Sequence, residues 1–126
     1  MSAEENKRKV AQALAGISNR DVPSVFTDFA DDANWTLVGR EDMFPFGGTK
    51  DNAAEKELLT GFLSGFDTFS FDVTSVVGEG DRVFATALSN GTGPGRKVYK
   101  NHYVFTFDLE GGKIKSIKTL DGKTYS

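Results

Sequence analysis

The chain has no cysteine, which excludes disulfides, thiolate metal ligands and a cysteine nucleophile. It has one histidine, His102, and its acidic residues are spaced as solvated charges, so no metal site is expected. No apolar run approaches the roughly 20 residues that a membrane helix needs. Met1 to Lys9 carries charge where a secretory leader would be apolar, so the expected location is the cytoplasm, with no membrane partner. A strong basic patch is missing too. Lys7-Arg8-Lys9 is the densest basic run, Glu4 and Glu5 flank it, and the formal net charge is −3; nucleic acid is not an expected partner. Gly91-Thr92-Gly93-Pro94-Gly95-Arg96 lacks the Lys-Ser/Thr of a phosphate-binding loop and reads as a hairpin turn.

What remains is a chain of 126 residues, 38% hydrophobic and 26% charged, the size and balance of one globular domain spanning 1–126. Eleven phenylalanines, against three tyrosines and one tryptophan, are enough to line a cavity as well as fill a core.

Val10, Leu14 and Ile17 recur at helical spacing and predict a first helix over about residues 3–18. Asp21 and Pro23 open a short second helix marked by Val22, Val25, Phe26 and Phe29. Asp31-Asp32 reads as a turn, 33–38 as a strand and 39–49 as a loop. Thr49 or Asp51 caps a third helix with Ala54, Leu58, Phe62 and Phe66 on one stripe, flanked by Leu59 and Leu63. Gly61 and Gly65 weaken that helix by about 1 kcal/mol each relative to alanine, and close packing is one reason to keep them. The second half alternates with period two. Turns at 78–81, 91–96 and 110–112 divide it into an antiparallel meander, with the longest strand at 98–109 expected to be central. On that strand Tyr99, Asn101, Tyr103, Phe105 and Phe107 share one face, and His102 lies on the other. The expected class is α+β: a cone-shaped, curved antiparallel sheet with N-terminal helices packed on its concave face.

Four stretches carry a resemblance. They are Phe29-Ala30-Asp31-Asp32-Ala33-Asn34-Trp35, Gly80-Asp81-Arg82-Val83, Tyr99-Lys100-Asn101-His102-Tyr103 and Gly112-Lys113-Ile114. In this order and spacing, from about Lys7 to Asp121, the chain resembles the nuclear-transport-factor-2-like superfamily, in its SnoaL-like and ketosteroid-isomerase-like branch. The resemblance implies a small-molecule pocket in the cone, no cofactor, and a homodimer through the convex sheet face, where Val104, Thr106, Ser116 and Leu120 offer a mixed patch. It does not fix a reaction, because such folds host many.

The active groups of known relatives are largely missing here. The base of ketosteroid isomerases falls at Leu37, and their oxyanion tyrosine at Ala13. Their protonated aspartate falls at Tyr103, whose phenol can donate to an oxyanion in its place. Strand 83–91 has no charged residue for the arginine–aspartate pair of the epoxide hydrolases, and His102 alone cannot supply the two histidines of scytalone dehydratases. SnoaL-like cyclases place an acidic base near the end of the last strand, and Asp121 sits there. The resemblance thus implies Asp121, Tyr103 and Asn101 as catalytic candidates, although Asp121-Gly122 is also ordinary turn chemistry. Trp35, Leu37, Phe46, Phe62, Phe66, Tyr99, Phe105, Ile117 and Thr119 are the expected pocket lining; such aromatics also fill cores, and for Leu37, Phe62 and Phe105 the core reading is the favoured one. Two functions stay open: an isomerase, cyclase or hydratase working on an apolar, polyketide- or steroid-like molecule by acid–base catalysis, and a non-catalytic dimeric binding module.

Overall fold

A computed structural model describes residues 2–37, 48–93 and 98–124. Helix α1 spans Ala3–Ser18, and the Ser2 hydroxyl caps it by accepting from the Glu5 N–H at 3.1 Å. Its inner row buries Val10, Leu14 and Ile17 together with Asn6, whose Nδ2 donates to the Gly80 carbonyl at 3.1 Å. That bond ties the start of α1 to a hairpin some seventy residues on.

Helix α2 is only Val22–Val25, shorter than its apolar residues suggest. Phe29 N–H turns back to the Phe26 carbonyl, and Ile114 N–H donates to the Asp28 carbonyl, so sheet pairing takes the chain before the helix can continue. Strand β1 therefore starts early, at Phe29–Leu37. Asp31 and Asp32 are not a turn. They lie exposed inside β1, where the register shifts between Phe29 and Asn34, and Lys115 binds both Asp32 carboxylate oxygens at 2.7 Å.

Residues 48–51, expected as the end of a loop and a cap, form strand β2 (Gly48–Asp51) on β1. Asp51 also caps α3 (Asn52–Ser64), accepting from the Ala54 N–H at 2.9 Å. The long strands β3 (Thr68–Glu79), β4 (Arg82–Thr92), β5 (Val98–Glu110) and β6 (Lys113–Thr124) follow as the expected meander.

The sheet runs β2-β1-β6-β5-β4-β3. Strand β5 is central and paired along both sides. One pair breaks the antiparallel rule: β1 runs parallel to β6. Helix α1 packs mainly on β3 and β4, and α3 on β1 and β2. The two helices thus cover opposite flanks of a curved, open sheet, with β5 between them. Among the described residues, no helix is long and apolar enough to cross a membrane.

Candidate functional site

A cavity of about 250 Å³ lies in the gap between the two helices and the sheet. Ile17 closes one side from α1. Trp35 and Leu37 line it from β1, Phe69 and Phe71 from β3, Tyr99, Tyr103 and Phe105 from β5, and Thr119 from β6. Helix α3 supplies Leu58, Leu59, Phe62, Leu63 and one carboxyl, that of Glu55. Seven of these fourteen residues are aromatic, which suits a ligand with flat apolar faces.

Room for the rings comes from β4. Its inward residues Ala85, Ala87, Ser89 and Gly91 stand opposite Phe105, Tyr103, Asn101 and Tyr99. Small residues on one strand accept large ones on the next. Gly91 shows the limit of this: a Cβ there would meet the Phe66 ring at 2.6 Å.

The polar groups form two sets. Trp35 Nε1 donates to Thr119 Oγ1 at 2.7 Å, so the buried indole N–H is satisfied. On β5, Asn101 Nδ2 donates to the Tyr99 hydroxyl at 2.9 Å. The Tyr99 and Tyr103 hydroxyls are 3.4 Å apart, and the Tyr103 hydroxyl shares a 3.0 Å bond with Ser89 Oγ. A chain of hydroxyls therefore runs along one wall of an otherwise apolar space.

Glu55 escaped the sequence reading, which expected Asp121 as the only carboxylate near the cone mouth. It is 8% exposed. Burial pushes its pKa from the ordinary 4.5 up to about 7, partly offset by the charge of Lys50 on β2. The stripe expected on α3 was one residue off. Glu55, Leu59 and Leu63 are the buried row, while Ala54 is exposed and Phe62 is 37% exposed at the rim. The spacing of Glu55 to Leu59 and Leu63, at i, i+4 and i+8, was the available signal.

Of the expected lining, Trp35, Leu37, Phe62, Tyr99, Phe105 and Thr119 lie around the cavity, as does Tyr103. Three residues do not. Ile117 is wholly buried in the core, opposite Phe107 in the ladder. Phe66 packs outside the wall, against Phe62, Phe69 and Tyr99, because Gly91 gives it a seat there. Asn101, the third, a catalytic candidate that is 2% exposed, is not in the wall itself and meets it through the bond to the Tyr99 hydroxyl. Asp121 pairs with Tyr103 in the β5–β6 register; its side chain lies outside the described part, as does all of Phe46. His102 is exposed on the other face of β5. Among the described residues, no three His, Cys, Asp or Glu side chains cluster as a metal site requires.

The helices and curved, open sheet align with an ntf2-like protein of Burkholderia pseudomallei with a TM-score of 0.74 at 17% identity, over 100% of this chain and 92% of that one, so the fold is of the nuclear-transport-factor-2-like class. Within it, the SnoaL-like domain family matches residues 10–117, and the chain belongs to that family. UPF0523 protein C of Dictyostelium discoideum is 30% identical over 87 residues, which cover 67% of this chain and 56% of that protein. The chain thus matches little more than half of that relative's length. Among solved structures, Bal32a from a soil-derived mobile gene cassette aligns with a TM-score of 0.81 at 20% identity, over 94% of this chain and 90% of that one. TerC, co-crystallised with polyporic acid, aligns with a TM-score of 0.78 at 19% identity, over 97% and 92%. At such identities the likeness to these structures is one of fold.

Proposed function

We propose that the protein binds a small, mostly apolar ring molecule in the cavity and moves a proton on it, in an isomerisation, cyclisation or hydration that needs no cofactor. The aromatic cavity with a hydroxyl chain on one wall is the observation that carries this reading. A developing enolate oxygen would take its hydrogen bond from the Tyr103 hydroxyl, with Asn101 and Tyr99 orienting the donor wall. Asp121, in register with Tyr103, is the proposed proton acceptor at that end of the site. TerC, of like fold, was crystallised with an organic acid, which agrees with such an occupant. The convex face, where Val104 and Leu120 are cross-strand neighbours in a mixed patch, is proposed to pair two copies in a homodimer working in the cytoplasm.

The leucine at position 37, where isomerases of this fold carry their base, favours a second reading: a binding module without catalysis. Native mass spectrometry of the purified protein separates these from an empty scaffold. A retained or added aromatic ligand, with quenching of Trp35, the sole tryptophan, is the expected result. Turnover of that ligand marks the enzyme; binding without turnover marks the module. Failure of any aromatic molecule to bind would remove both.

A further inference from the structure

We infer that Glu55 is a catalytic residue of this site, acting from α3 as the group that takes up and returns the substrate's proton. The inference rests on the small-molecule reading above and moves its proton-acceptor role from Asp121 to Glu55.

Its footing is geometric. Glu55 is the only carboxyl among the described residues of the cavity wall, and it occupies a row that otherwise buries Leu59 and Leu63. A leucine there would serve packing better, since a buried carboxyl costs stability unless it is bound. No hydrogen bond from a described residue holds it. Asp51 is the N-cap of α3, accepting from the Ala54 N–H three residues on, so Glu55 is not needed to cap the helix. Two charged side chains among the described residues stand near it. Lys50 acts on it from β2, and Lys56 on α3 is turned away over the Phe26 ring at 5.2 Å. From β5, the Tyr99 and Tyr103 phenols share its cavity, and β1 offers Trp35 and Leu37, which carry no charge.

The step balances without any added reagent. Glu55 carboxylate takes a proton from a carbon next to a carbonyl. The C–H electron pair moves to the carbonyl oxygen, where Tyr103 donates a hydrogen bond. In a substrate whose deprotonated carbon also adjoins a carbon–carbon double bond, Glu55 then returns the proton to the far carbon of that double bond. The electron pair moves back from oxygen, and the double bond shifts into conjugation with the carbonyl. Nothing is oxidised or reduced. A carboxyl that is half ionised near neutral pH is suited to both halves of this exchange.

5-Nitrobenzisoxazole tests this without knowledge of the natural substrate. It is flat, bicyclic and apolar. When a base removes its ring C–H proton, the electron pair forms a nitrile, the N–O bond breaks, and the ring opens to a coloured cyanophenolate. Trp35 quenching reads its binding, and phenolate absorbance reads its reaction, in the wild type, Glu55→Gln and Asp121→Asn. The expected result is binding by all three proteins. The wild-type rate should rise to a plateau with its midpoint near pH 7. Glu55→Gln should lose about 10²-fold or more, while Asp121→Asn keeps the wild-type rate. Binding with equal rates in wild type and Glu55→Gln, or a rise centred on the ordinary carboxylate range, overturns the role of Glu55 and leaves the pocket standing. No binding at all overturns the small-molecule reading and this inference together.

Discussion

Glu55 and Tyr103 line one cavity from different layers, the carboxyl carried by helix α3 and the phenol by the central strand β5. This places the one acidic group of the described wall across from a sheet-borne hydroxyl chain. It also gives the stability of the protein a definite pH dependence.

Burial holds the Glu55 pKa at about 7 in the folded chain, against 4.5 when unfolded. Below 4.5 both states keep the proton and the group contributes nothing. Between these values the unfolded state releases its proton and the folded state does not, so stability falls as pH rises, and the loss levels off above about 7. The full cost is on the order of 3 kcal/mol. Glu55→Gln cannot ionise, so it should gain on the wild type across this window. Denaturant unfolding of both proteins at pH 4 and pH 8 checks this; a pH-independent difference would show that Glu55 is not desolvated.

Thr119 gives the Trp35 indole its acceptor. Thr119→Val keeps the shape and leaves a buried N–H without a partner, which should cost about 1–3 kcal/mol in urea unfolding. The indole emission should also change, because the tryptophan stands in the cavity wall.

Two helix glycines should respond to alanine with opposite signs. A Cβ on Gly16 would meet Val25 Cγ2 at 2.7 Å and the Val25 backbone nitrogen at 2.8 Å, so Gly16→Ala forces α1 off α2 and should cost about 1–3 kcal/mol. Around Gly61 a Cβ would meet nothing within 4 Å. Close packing is therefore not the reason for that glycine, and Gly61→Ala should stabilise by about 0.5–1 kcal/mol. Thermal melts of the two variants would settle the signs.

Val104 and Leu120, 46% and 54% exposed, are cross-strand partners on the outer face. The wild type should sediment as a dimer at micromolar concentration, and Val104→Glu as a monomer. A wild type that sediments as a monomer removes the proposed interface.

The alternation along β5 was enough to sort its faces, because a strand has only two, and the order of helices and strands was enough for the class. Long-range facts were not legible. Parallel pairing of β1 with β6 depends on where the chain meets a strand formed some eighty residues later, and local pattern carries no trace of it. Asp31-Asp32 has turn composition, yet the sheet absorbs both as an irregularity with Lys115 as partner. Glu55 was hidden for another reason. A search for apolar stripes passes over a carboxylate in a leucine row, and rejection of that residue as solvent-facing is correct for most helices. The small inward residues of β4 were readable in the sequence, but their meaning as seats for the rings of β5 needs the register.

The most direct test is a carbon NMR titration of the Glu55 side-chain carboxyl, empty and with naphthalene added. The carboxyl should titrate with a midpoint near 7, and the midpoint should move upward once naphthalene displaces water from the cavity. A midpoint near the ordinary 4.5, unmoved by naphthalene, would contradict a buried acid–base group in a small-molecule site.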